Sequence, residues 1–92
     1  MSAFVIVSLT PRDGEKLKAY SAVAGATVQQ HSGQFLARGP VEVLAGQTHH
    51  KMQAVIEFPS REAALQWYNC AEYQSLIALR DEAMDCDFVL VG

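Results

Sequence analysis

The chain has little of what usually marks a chemistry. Two cysteines, Cys70 and Cys86, in 92 residues are too few for the disulfide framework of a small secreted domain. No secretory leader precedes them, so they read as reduced thiols of a cytoplasmic protein. The longest apolar run, Ala3–Val7, falls far below the ~18 residues of a membrane span, which excludes a transmembrane role. The seven Lys and Arg residues are scattered, and the net charge is −3, so there is no basic stripe for a nucleic-acid backbone to meet.

Recognised site motifs are equally scarce. The three histidines do not form a His-x-His or His-Glu-x-x-His set: His31 ends a helical stripe, and His49 and His50 are neighbours in a polar loop, where adjacent side chains point apart. No metal site is expected. There is no Gly-x-Ser-x-Gly elbow and no Gly-rich turn opening a helix, so neither a serine nucleophile nor a nucleotide cofactor is expected. Cys86 sits between Asp85 and Asp87, whose charges raise a thiol pKa, and Cys70 lies beside a helix break; neither thiol is activated.

What is present is a well-patterned single domain over residues 1–92. Ala3–Leu9 reads as a strand apolar on both faces, stopped by Thr10-Pro11. A helix follows, begun either at Thr10-Pro11 or at Asp13-Gly14, with Leu17, Tyr20, Ala24, Val28 and His31 on one stripe and Ser32-Gly33 as its stop. Gln34–Arg38 is a short strand ended by Gly39-Pro40, and Val41–Leu44 is a candidate hairpin arm. Met52–Phe58 alternates, Pro59 ends its pairing, and Ser60 caps a second helix bearing Ala64, Leu65, Trp67 and Tyr68. After a break at Asn69–Ala71 comes a helical stripe of Tyr73, Leu76, Ile77, Arg80 and Met84. Phe88–Val91 closes the chain as the fourth strand.

This β-α-β-β-α-β order, with an extra short helix before the last strand, is the split βαβ pattern of an α+β, ferredoxin-like antiparallel sheet. Both helices then cover one sheet face. The other face should be polar in a monomer, yet strands one and four are apolar at successive positions, and strand three keeps Val55 opposite Ile56 and Phe58. A second copy is expected to cover it, giving a homodimer whose two sheets form a barrel-like core.

Charge placed among such strands needs a partner. By parity Arg38 shares a face with Leu36 and Glu57 with Val55. Across neighbouring strands the two are expected to meet facing inward and line a cavity, or else to form a solvated pair at the sheet edge. Tyr20, Trp67, Tyr68 and Tyr73, with Arg38 and Arg80 as anion anchors, make a candidate wall for a small organic, anionic ligand. Glu57 or His31 would be the base if chemistry occurs. The competing reading makes the aromatics plain core and the protein a non-catalytic interaction or structural dimer module.

Gly33-Gln34-Phe35-Leu36-Ala37-Arg38-Gly39, Glu57-Phe58-Pro59-Ser60, Trp67-Tyr68, Glu72-Tyr73-Gln74 and Arg80 together resemble the family called domain of unknown function 1330. The resemblance runs from Tyr20 to Val91. It implies the fold of the dimeric α+β barrel proteins, a group with cofactor-free monooxygenases, lactone isomerases and stress-induced proteins among its members, and it implies a dimer independently of the sheet-face argument. It assigns no reaction. Pro40 stands where a second glycine is common, stiffening a turn beside the pocket, and Asn69-Cys70-Ala71 replaces the usual Ser-Pro, altering the helix break.

Overall fold

Asp13, not Thr10, starts the first helix. In the computed structural model, which describes residues 2–92, strand β1 carries Thr10 and Pro11 along and ends at Pro11, spanning Ala3–Pro11. The Asp13 carboxylate then accepts from the Lys16 N–H at 3.1 Å, which opens α1, Gly14–Gln30. The helix closes in a Schellman motif: Gly33 N–H donates to Val28 O and Ser32 N–H to Gln29 O, and Ser32, with φ 64°, is the left-handed residue.

Strand β2 is Gln34–Pro40 and β3 is Met52–Phe58. The expected hairpin arm at Val41–Leu44 is absent. Beyond Pro40 only Val41 keeps a ladder-like bond, from its N–H to Lys51 O at 2.9 Å, and residues 42–51 contain no regular element. Ser60 caps α2, Arg61–Asn69, accepting from Ala63 N–H. Cys70 both ends α2 and caps α3, Ala71–Gln74, with its sulfur accepting from Tyr73 N–H at 3.4 Å. After a turn at Ser75-Leu76 comes α4, Ile77–Ala83.

Strand β4 is Met84–Val91, longer than the apolar run Phe88–Val91 suggests, and Met84 belongs to it instead of to the preceding helical stripe. The reason is period-two alternation: Met84, Cys86, Phe88 and Leu90 are covered while Asp85, Asp87, Val89 and Val91 are exposed. The sheet order is β2-β3-β1-β4 with every pair antiparallel. No helix among the described residues is long and apolar enough to cross a membrane.

All the helices lie on one side of the sheet. Ala3, Val5 and Val7 of β1 and Ala54, Ile56 and Phe58 of β3 are buried on that side, with Val28, Trp67 and Tyr73 packed above. The Trp67 ring centroid is 4.5 Å from that of Tyr73 and 5.3 Å from that of Phe58. On the open side the strand register aligns Phe4, Ile6 and Val55 with Val89 and Val91, and the last two are 54% and 51% exposed. The two-sided apolar character expected of strands one and four, and of strand three at Val55, is therefore present in this chain.

Candidate functional site

A β-bulge decides which residues meet. Between Phe35 and Ala37 the β2–β3 register slips by one residue, so Gln34 pairs with Glu57 while Arg38 pairs with Ala54. A slip of one residue reverses every side chain beyond it. Arg38 therefore shares the helix-facing side with Phe35, not with Leu36. Glu57 points to the open side, where it accepts from Gln34 Nε2 at 3.0 Å. The expected Arg38–Glu57 contact does not form. Hydrogen bonds from Gln34 and then Ser2 hold the Glu57 carboxyl below its usual range, the opposite of what a general base at neutral pH requires.

On the helix side, a cavity of about 470 Å³ opens between α1 and the sheet. Leu17, Tyr20, Gly25 and Val28 of α1 form its roof, and Val7, Leu9, Ala54 and Ile56 form its floor. Phe35 and Arg38 stand at the β2 edge, with the Arg38 guanidinium carbon 5.9 Å from the centre of the Phe35 ring. Trp67 and Phe88 close the inner end. One row of paired residues, Arg38–Ala54–Val7–Phe88, crosses the whole sheet beneath it. Among the described residues no carboxylate forms an ion pair with Arg38.

Three of the expected ligand-wall residues, Tyr20, Trp67 and Arg38, line this cavity. Tyr68, Tyr73 and Arg80 stand behind it as a supporting network. Arg80 Nη1 donates to the Tyr68 hydroxyl at 3.0 Å and to the Tyr73 hydroxyl at 3.4 Å, and the Tyr73 and Tyr20 hydroxyls are 2.7 Å apart. Burial would lower the Arg80 pKa, but the bonds to Tyr68 and Tyr73 more than offset it and hold the guanidinium charge firmly. Burial pushes the phenol pKa of both Tyr20 and Tyr73 up, so both stay protonated at neutral pH. Trp67 is held by its own bond, Nε1–H to Thr27 Oγ1 at 2.9 Å. His31 sits at the C-terminal cap of α1 with Nδ1 3.1 Å from Thr27 O, and it does not line the cavity.

The structure adds residues that the sequence pattern had not singled out. Phe88, Phe35 and Gly25 line the cavity. His50, read as a loop residue, is buried on the open side, 3.0 Å from Thr10 Oγ1 through Nδ1 and 3.0 Å from Asp87 Oδ2 through Nε2. No local signal could have joined it to strands 40 and 37 residues away. Both cysteines are free, and burial raises the Cys86 thiol pKa, with Asp81, Asp85 and Asp87 adding to the rise and Arg80 opposing it. Among the described residues no three His, Cys, Asp or Glu side chains gather as a metal-binding group.

These features define a ferredoxin-like α+β domain with an apolar cavity under its first helix. The chain belongs to the family described as Domain of unknown function (DUF1330), whose model matches residues 2–92. No curated protein matches it significantly. Among solved structures, a protein of unknown function from Rhodopseudomonas palustris is 18% identical with a TM-score of 0.79, over 98% of this chain and 80% of that one. A dimeric ferredoxin-like protein of unknown function from a Jannaschia species is 13% identical with a TM-score of 0.76, over 100% of this chain and 99% of that one. SnoaB, a cofactor-independent oxygenase from Streptomyces nogalater, is 8% identical with a TM-score of 0.72, over 99% of this chain and 91% of that one. At such identities the likeness shows the fold alone.

Proposed function

We propose that this protein is a cytoplasmic homodimer, paired through its open sheet faces, that binds a small organic anion in the cavity between α1 and the sheet. The observation that carries the binding reading is an exposed guanidinium without an ion pair, Arg38, at the edge of a largely apolar cavity that the Tyr20 ring also lines. An aromatic and aliphatic slot with one cation and a few polar groups is a common way to hold an organic acid. The dimer is supported by the Phe4, Ile6, Val55, Val89 and Val91 surface and by dimeric fold neighbours such as the Jannaschia protein. Cofactor-free turnover of the bound molecule has the weaker support of analogy with SnoaB.

The test is a thermal-shift screen with small carboxylates and aromatic lactones, run on the native protein and on Arg38→Met. Saturable stabilisation by several acids, lost in Arg38→Met while light scattering still reports a dimer, supports the reading. If no compound stabilises the native protein, the non-catalytic dimer module becomes the better account. A stable monomer at micromolar concentration removes the dimer.

A further inference from the structure

One set of donors in the hydroxyl network behind the cavity leaves no proton sealed in the core. Arg80 carries N–H groups and no acceptor, so the Tyr73 oxygen must accept from it. Tyr73 is fully buried, and its hydroxyl has just one other partner among the described residues, Tyr20 at 2.7 Å. If Tyr20 donated to Tyr73, the Tyr73 proton would be left in the core without an acceptor, an arrangement that folded interiors avoid. Tyr73 therefore donates to Tyr20. The proton of Tyr20 is then free, and no other side chain or backbone group among the described residues accepts it. Tyr20 is 6% exposed and lines the cavity, so the cavity is where that proton can be used. A phenol that accepts from a second phenol, itself bonded to a guanidinium, is a polarised and strengthened donor.

Resting on the binding reading above, we propose that the ligand is a ring-sized apolar acid with a ketone, ester or lactone carbonyl remote from its carboxylate, the carbonyl oxygen accepting from Tyr20 while the carboxylate faces Arg38. The two groups belong to different ends of the slot. Arg38 lies at the β2 edge, whereas Tyr20 bonds to Tyr73, whose ring is 6.3 Å from that of Phe88 on the far strand. Arg38 and Phe88 end the same cross-sheet row, about 14 Å apart at three strand spacings. Between them the walls are mostly aliphatic and aromatic, with Ser21 and Gln53 the other polar residues, which suits a fused ring with few polar groups at its centre.

The experiment compares two isosteric probes, 6-acetyl-2-naphthoate and 6-isopropenyl-2-naphthoate, by calorimetry on the dimeric protein. The ketone is expected to bind at least about fivefold more tightly than the alkene, in line with one buried hydrogen bond. That ratio should fall below about twofold in Tyr20→Phe, while Arg38→Met weakens both probes alike. The carbonyl stretch of the bound ketone, read by infrared on the unmodified protein, should move to lower frequency, which decides the matter even if Tyr20→Phe does not fold. Equal affinities for the two probes, or an unshifted stretch, overturn the acceptor assignment and leave the cavity reading standing. Failure of both acids to bind saturably overturns both.

Discussion

Gly33 lies against the ring of Phe58 so closely that a β-carbon added to it would stand 2.6 Å from Phe58 Cε1 and 2.8 Å from Val28 Cγ1. Both neighbours are deep core, so neither can retreat cheaply. Gly33 does not carry the left-handed turn after α1; Ser32 does, with φ 64°. The two adjacent positions should respond differently. Gly33→Ala should destabilise by about 1–3 kcal/mol through overpacking. Ser32→Gly should be neutral or add up to about 1 kcal/mol by relieving the left-handed residue. Urea midpoints of the two variants check this, and an unaffected Gly33→Ala protein would remove the packing argument.

The contact between Thr27 and Trp67 gives a second prediction. The Thr27 hydroxyl donates to Ala24 O at 2.7 Å and accepts from the indole N–H at 2.9 Å, all within the core. Thr27→Val keeps the shape and leaves the indole donor without a partner, at a cost of about 1–3 kcal/mol. Thr27→Ser keeps the acceptor and should be the milder change. A Val variant as stable as the Ser variant would mean that the bond contributes nothing.

Much of the fold is legible in the residue pattern because it depends on local alternation and capping. The strand and helix order, the Ser60 cap, the break at Cys70 and an open sheet face that stays apolar all follow from neighbours in sequence. The site was legible only in part. Tyr20, Trp67 and Arg38 do share a cavity, but Arg38 reaches it because the bulge at Leu36 reverses the side-chain parity of β2. A bulge is a property of the pairing between two strands, so the β2 sequence alone carries no sign of it. Glu57 does share its face with Val55, as its parity in β3 says, and the pair with Arg38 fails because the bulge carries Arg38 to the other side of the sheet. Strand β4 runs past the apolar stretch Phe88–Val91 because Asp85 and Asp87, loop-like by composition, alternate with the covered Met84 and Cys86.

Gly25 ties helix stability to the shape of the cavity. It sits within α1 and lines the cavity, and a β-carbon there would meet no atom within 4 Å. Glycine inside a helix is less favourable than alanine by about 0.5–1 kcal/mol, so Gly25→Ala should raise the urea midpoint. Gly25→Leu should gain helix propensity as well while projecting its side chain into the slot. Calorimetric binding of 6-acetyl-2-naphthoate should then be retained in the Ala variant and sharply reduced in the Leu variant. Equal binding by both would place the ligand elsewhere.

The paired phenols set the alkaline limit of the fold. In the unfolded chain Tyr20 and Tyr73 titrate near 10.0, and in the native protein both are raised, chiefly by burial. The folded protein keeps these protons where unfolded chains release them, so the stability they contribute is fully present below about pH 10 and is lost as pH climbs above it. Each group can contribute a slope of up to about 1.4 kcal/mol per pH unit in that range. Cys86, also raised by burial from 9.0, begins the decline slightly earlier. Urea midpoints followed between about pH 8 and about pH 11, with phenolate absorbance recorded alongside, should show a plateau and then a fall. The fall should be shallower in Tyr20→Phe. A midpoint that stays level to the upper end, with all three tyrosines ionising while the protein is folded, would mean that the Tyr20 and Tyr73 hydroxyls are open to water and would overturn the donor chain from Arg80 to Tyr20.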